Sequence, residues 1–170
     1  MAQNIEIKAR ANNVERQLIL AESISDKPRV TLIQEDTFFV TPAGRLKLRE
    51  FPDAPSQLIY YNRIDTEGPK LSEYFISSIE DGQGLKSVLE KSYGIRQVVK
   101  KVRTLLMSGR TRLHFDNVEG LGHFIELEVV LNDADSLDAG QAEAHALMTK
   151  LHINKEDLID VAYADLLDQQ

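Results

Sequence analysis

Charged and apolar residues alternate along much of this chain, and the alternation predicts strands. Asn4, Glu6, Lys8 and Arg10 interleave with Ile5, Ile7, Ala9 and Ala11. Lys47 and Arg49 interleave with Leu46 and Leu48, and Arg110, Arg112, His114 and Asp116 with Leu113 and Phe115. Glu126 and Glu128 interleave with Ile125, Leu127 and Val129. Successive strand side chains point to opposite faces, so each segment has one charged and one apolar face. Strands are expected at residues 3–11, 30–40, 45–51, 58–64, 71–79, 97–107, 110–118 and 122–132. A helical spacing predicts helices over about 14–25, 85–91, 139–151 and 155–167. Thr41–Gly44, Pro52–Pro55 and Ser108–Gly109 are turn signals. No linker, repeat or low-complexity tract interrupts the pattern, so one domain over 1–170 is expected. The expected class is α+β, mainly antiparallel β. Eight strands in hairpin order suffice for a closed eight-stranded barrel with a small ligand cavity and flanking helices.

Composition narrows the chemistry. The 170 residues are 42% hydrophobic and 28% charged, ordinary for a globular protein with a sizeable core. There is no Cys, which excludes disulfides and thiolate metal sites. No apolar run approaches the roughly 20 residues needed to cross a bilayer. The Met1–Glu6 stretch lacks the basic-then-apolar pattern of a signal peptide, so a cytoplasmic protein without a membrane partner is expected. The net charge of −7 argues against general nucleic-acid binding. A concave basic site still focuses the field of its own charges and can hold an anion.

One alternating strand is an ordinary half-solvated strand. Several of them, mixing both signs on the same faces, suggest a shared polar cavity. Lys8, Arg10, Lys47, Arg49, Arg63, Lys101, Arg103 and Arg112 are its candidate cations, with Arg10 near a strand end. Arg offers a planar donor fork and Lys a compact charge, the groups phosphate recognition needs. A triphosphate carries about four negative charges, so several cations must converge on it. Glu6, Asp116, Glu126 and Glu128 are the candidate acids. Hard carboxylate oxygens on neighbouring strands suit Mg2+ or Mn2+, and the simpler alternative is that they neutralise the cations around them. Glu126 and Glu128 lie about 7 Å apart along one strand face. His114 shares their parity, although a strand His is more often a hydrogen-bonded structural residue. His123, His145 and His152 make no zinc spacing with it. Neither Gly-x-Gly, at 82–84 or 120–122, continues into a phosphate loop or dinucleotide fingerprint. No Ser-centred nucleophile elbow is present. Tyr60–Tyr61 reads as packing.

The ordered set of motifs resembles the CYTH superfamily, the triphosphate tunnel metalloenzymes, which includes class IV adenylyl cyclases and thiamine triphosphatases. The family's Glu-x-Glu-x-Lys reads here Asn4-Ile-Glu6-Ile-Lys8. Further matches are Gln34-Glu-Asp36-Thr-Phe-Phe39, Leu46-Lys47-Leu48-Arg49, Lys101-Val-Arg103 and Asp116. Gly120-Leu-Gly122-x-Phe124-x-Glu126-x-Glu128 and Tyr163-Ala-Asp165-Leu-Leu complete the set. The Gly-Leu-Gly stretch is most similar to the class IV cyclase branch.

The resemblance implies a tunnel in which Lys8, Lys47, Arg49, Arg63, Lys101, Arg103 and Arg112 hold a triphosphate. Glu6, Asp116, Glu126 and Glu128 would hold Mg2+ or Mn2+, Glu6 and Lys8 would be catalytic, and the C-terminal helix would close one end. The implied partner is ATP, tripolyphosphate or thiamine triphosphate. The implied reaction is conversion of ATP to cyclic AMP and pyrophosphate, with triphosphate hydrolysis or a non-catalytic binding module as alternatives. Asn4 departs from the pattern. It replaces the first Glu with a group that carries no charge and is no base, which weakens water activation more than triphosphate binding.

Overall fold

The alternation closes the sheet on itself. A computed structural model describes residues 2–63 and 68–170, leaving aside the side chains of Ala2 and Arg63. Its strands are β1 (Ala2–Arg10), β2 (Val30–Phe39), β3 (Arg45–Glu50), β4 (Ser56–Arg63), β5 (Lys70–Ile79), β6 (Ile95–Ser108), β7 (Thr111–Val118) and β8 (Gly122–Leu131). Its helices are α1 (Val14–Ile24), α2 (Gly82–Tyr93), α3 (Leu137–Lys150) and α4 (Tyr163–Asp168). The strands form a closed antiparallel barrel in the order β1-β5-β4-β3-β2-β6-β7-β8. Most neighbours are hairpins. β1 completes the ring between β5 and β8, and β2 pairs with β6.

The barrel is inside out by the usual standard. Ile5, Ile7, Ala9, Leu113, Phe115, Ile125, Leu127 and Val129 face outward and pack beneath α1 and α3. Their charged alternates are thereby turned into the lumen. α3 approaches closely because it carries Gly140, where a Cβ would lie 2.8 Å from Leu131 and 2.9 Å from Ile5. On the other side, α2 lays Leu85 and Leu89 over Phe39, Leu46, Leu48 and Leu58. α2 begins three residues before its apolar spacing does, because the Asp81 carboxylate caps the Gly84 N–H at 2.8 Å. The β6–β7 turn is Gly109–Arg110, with Ser108 already paired to Thr111 and Gly109 at φ 57°.

The expected helix over 155–167 is not continuous. It is a 3-10 turn at Lys155–Asp157, an extended stretch, and then α4. β5 pairs with β1 only as far as Glu6, which leaves the next backbone groups on that edge of β1 without a strand. Leu158 bridges Ala9, and the Ile159 N–H donates to the Lys8 carbonyl at 2.9 Å. The demand of buried backbone groups for partners overrides the local helical spacing. That extended stretch delivers α4 to one end of the barrel. There Tyr163 and Ala164 pack on Phe38, Val99, Val118 and Phe124 and close the lumen.

Candidate functional site

Inside the barrel is a cavity of about 620 Å3, arranged in three levels. Its floor is the apolar plug, with Tyr163 on top. Its middle is charged: Glu6, Lys8, Lys47, Arg49, Lys101, Arg103, Arg112, Glu126 and Glu128 all line it. Its mouth, at the opposite strand ends, carries an apolar collar of Leu32, Phe51, Pro55, Ile76 and Leu105.

Two sequence candidates lie off this lining. Asp116 is 1% exposed and sits behind the lining. Arg10 is exposed at the end of β1, outside the cavity lining, and stacks over the Phe124 ring, 5.0 Å from its centre. The Arg63 side chain lies outside the described residues.

Two buried acids organise the cations. Asp36 stands opposite Arg49 in the β2–β3 register. It accepts from Arg49 Nε and Nη2 at 2.7 and 2.8 Å and from Lys47 Nζ at 2.9 Å, with Lys101 Nζ 3.7 Å away. Burial alone would raise its carboxyl, but Arg49, Lys47 and Lys101 hold it well below the usual range. Asp116 stands opposite Arg103 in the β6–β7 register. It accepts from Arg103 Nε and Nη2 at 2.7 and 2.6 Å and from the Tyr163 hydroxyl at 2.9 Å. Burial opposes its charge too, yet Arg103 and Lys101 pull it down to about 2. Crowding works the other way on the lysines. Burial and the neighbouring Arg49 push Lys47 down to about 7, against the attraction of Asp36.

The remaining acids sit on the far wall. Glu126 receives Lys8 Nζ at 3.0 Å and Arg103 Nη2 at 2.5 Å, and Arg112 Nε reaches Glu128 at 2.7 Å. Lys8 Nζ also lies 3.9 Å above the Tyr163 ring. His114 faces Glu126 across the β7–β8 register. Burial and the charge of Arg103 lower its imidazole below the ordinary value, against the pull of Glu128 and Glu126. Its Nδ1 is buried without a hydrogen-bond partner, as are Asn4 Oδ1, Gln34 Oε1 and Ser72 Oγ in the same lining. Donor atoms of His114, Glu126 and Glu128 all lie within 4.8 Å of one another. Two carboxylates and an orphaned buried nitrogen fit a divalent cation.

The structure adds Asp36 and Tyr163 to the residues singled out from sequence. Asp36 has a signal, since it shares parity with Gln34 on β2 and breaks an otherwise apolar face. Tyr163 is signalled only by the resemblance, which has the C-terminal helix closing one end, because α4 reaches the lumen through the backbone bridge to β1 and not through any local spacing. A second groove of about 650 Å3 lies outside the barrel beside β2, β3 and α2. Its charges are spent on one another, with Lys86 Nζ 2.8 Å from Glu50 and 3.2 Å from Glu35.

Fold and lumen together define an antiparallel tunnel barrel with a blind, charged interior. Residues 2–163 match the CYTH domain, and the chain belongs to that family. It is similar to a Methanocaldococcus jannaschii protein provisionally named an adenylate cyclase, at 29% identity over 111 residues, 61% of this chain and 63% of that one. The matched region thus spans less than two thirds of that relative. Among solved structures, the Pyrococcus horikoshii OT3 protein PH1012 superposes with a TM-score of 0.85 at 22% identity, over 96% of this chain and 98% of that one. A Hippeastrum protein, described as a candidate adenylyl cyclase with a dominant triphosphatase activity, gives 0.70 at 16% identity over 99% and 96%. Among the described residues, no helix is long and apolar enough to cross a membrane.

Proposed function

We propose that the protein is a divalent-metal-dependent enzyme acting on an organic triphosphate, with conversion of ATP to cyclic AMP and pyrophosphate as the leading activity. The observation that carries this is the convergence of Lys8, Lys47, Arg49, Lys101, Arg103 and Arg112 on one blind lumen. Four acids, Glu6, Asp36, Glu126 and Glu128, line the same interior, and Asp116 sits behind them. Lys8, Arg103 and Arg112, which pair with the far-wall acids, would be left for an anionic ligand if Glu126 and Glu128 held a divalent cation. Metal and polyphosphate are then expected to bind together, each removing the other's uncompensated charge.

Glu126 and Glu128 are the residues that would hold the metal, with Glu6 beside them on the same face. When bound, the ion supplies neutralisation of charge on the phosphate oxygens. The chain's own groups do the rest. Lys47, Arg49, Lys101 and Arg103, fixed by Asp36 and Asp116, grip the inner phosphates, where charge builds up on the departing pyrophosphate. The blind floor sets the depth of the phosphates and leaves the organic group at the collar. Cyclisation uses the substrate's own ribose hydroxyl, so positioning contributes more than water activation. Asn4 agrees with that, since it offers no carboxylate next to Glu6 to orient a water.

Triphosphate hydrolysis is the second reading, favoured by the activity described for the structurally similar Hippeastrum protein. Both are tested by incubating the protein with ATP, tripolyphosphate or thiamine triphosphate, each with Mg2+, Mn2+ or a chelator. Cyclic AMP, pyrophosphate and orthophosphate are measured together. Cyclic AMP with equal pyrophosphate, dependent on metal, is the expected result. Orthophosphate alone favours hydrolysis, and no product with any substrate removes the enzymatic reading.

A further inference from the structure

The far wall of the tunnel contains a nitrogen that an all-carboxylate metal site would leave unused. We propose that the divalent cation is held by a mixed nitrogen–oxygen site, His114 Nδ1 with one oxygen each from Glu126 and Glu128, and that this site prefers Mn2+ to Mg2+. The inference rests on the metal-dependent reading above and specifies its ion.

The placement is set by register. His114 and Glu126 are direct cross-strand partners on β7 and β8, and Glu128 follows two residues later on the same face. His114 is 4% exposed, and its Nδ1 makes no hydrogen bond. It lies 3.7 Å from Glu128 Oε1 and 3.9 Å from Glu126 Oε2. A hydrogen bond from Nδ1 to either oxygen would close to about 2.7–3.2 Å. One ion with bonds of about 2.0–2.2 Å spans the observed gaps instead.

The oxygens are placed to allow it. Glu128 turns Oε1 toward His114 while Oε2 keeps Arg112 at 2.7 Å. Glu126 Oε2 is shared with Arg103, which retains both of its bonds to Asp116 if that contact lengthens.

Ligand chemistry decides the preference. Mg2+ demands hard oxygen donors and gives up water reluctantly. Imidazole gains affinity along the transition series, so one nitrogen among oxygens tilts the site toward Mn2+.

The test uses the full chain, free of any affinity tag and stripped of metal. Pulsed EPR of the Mn2+-loaded protein reads nitrogen coupling to the ion directly, without requiring turnover. Coupling is expected in the wild type and lost in His114→Gln, a variant checked for folding by its thermal melt. His114→Gln should weaken Mn2+ binding at least about tenfold and Mg2+ binding less than about threefold. No nitrogen coupling in the wild type overturns the proposal, and so does coupling that persists in His114→Gln. Equal wild-type affinities for the two ions overturn the preference. Tripolyphosphate binding in a chelator is measured in parallel. If it is retained while nitrogen coupling is absent, the phosphate tunnel stands and the histidine ligand falls. If it is lost while coupling is present, the reverse holds.

Discussion

Replacing Arg103 with Met separates the two tasks this residue performs. Its guanidinium makes both bonds to Asp116, at 2.7 and 2.6 Å, and a third to Glu126 at 2.5 Å. Asp116 is 1% exposed and, among the described residues, keeps the Tyr163 hydroxyl at 2.9 Å and Lys101 at 3.8 Å. Removing one member of such a buried pair costs about 3–5 kcal/mol, because the other charge is left uncompensated. For a chain of this size that lowers Tm by roughly 6–20 °C. Arg103→Met/Asp116→Asn removes the stranded charge and should recover part of the loss. Tripolyphosphate affinity behaves differently. A lost charge-assisted contact of about 1.5–3 kcal/mol weakens binding roughly 10- to 150-fold, and the double variant should not restore it. Urea unfolding and calorimetric titration of Arg103→Met, Asp116→Asn and the double variant read the two quantities. The wild-type Asp116 carboxyl sits at about 2 against an ordinary 3.8, so its contribution is complete above about pH 4. It is lost as pH falls from 3.8 through 2. In Arg103→Met burial is less opposed, and acid unfolding should begin at higher pH. A single variant as stable as the wild type, or a double variant destabilised by the sum of the singles, refutes this account of Arg103.

Three further outcomes are expected. Lys47, pushed down to about 7, is largely neutral above neutrality, and a bound polyphosphate raises it again. Tripolyphosphate binding in a chelator should therefore take up a proton and weaken as pH rises through 7, and titration in buffers of different ionisation enthalpy should show less uptake in Lys47→Met. Phe51→Ala opens the collar without touching the charged level. It should weaken ATP binding by about 1–2 kcal/mol and leave tripolyphosphate unchanged, whereas equal losses for both would place the organic group elsewhere. Asn4→Glu adds a carboxylate beside Glu6 and should raise orthophosphate release relative to cyclic AMP at saturating metal. An unchanged product ratio would show that position 4 does not limit the water step.

Alternation made the barrel wall legible, because a closed sheet has two faces and each residue's parity assigns it to one. That is why Glu6, Lys8, Lys47, Arg49, Lys101, Arg103, Arg112, Glu126 and Glu128 fall together in the lumen. Parity says which side chains share a space, but not which acid a given base will consume. That depends on cross-strand register, which is decided by pairings far apart in the chain. Asp36 lies opposite Arg49 and Asp116 opposite Arg103, so these two acids are consumed as internal counter-ions. Glu126 lies opposite both Lys8 and His114, so its oxygens stand between a cation and an unpartnered nitrogen. The floor is legible only through the family resemblance, since Tyr163 arrives through a bridge between Leu158 and Ala9 that no local spacing encodes. Two acids fix the cations that face a ligand, and the acids beside His114 remain to meet a metal. A sequence read strand by strand sees four equivalent carboxylates. The register makes one of those four, Asp116, part of the scaffold and leaves Glu126 and Glu128 as the pair from which metal binding is to be expected.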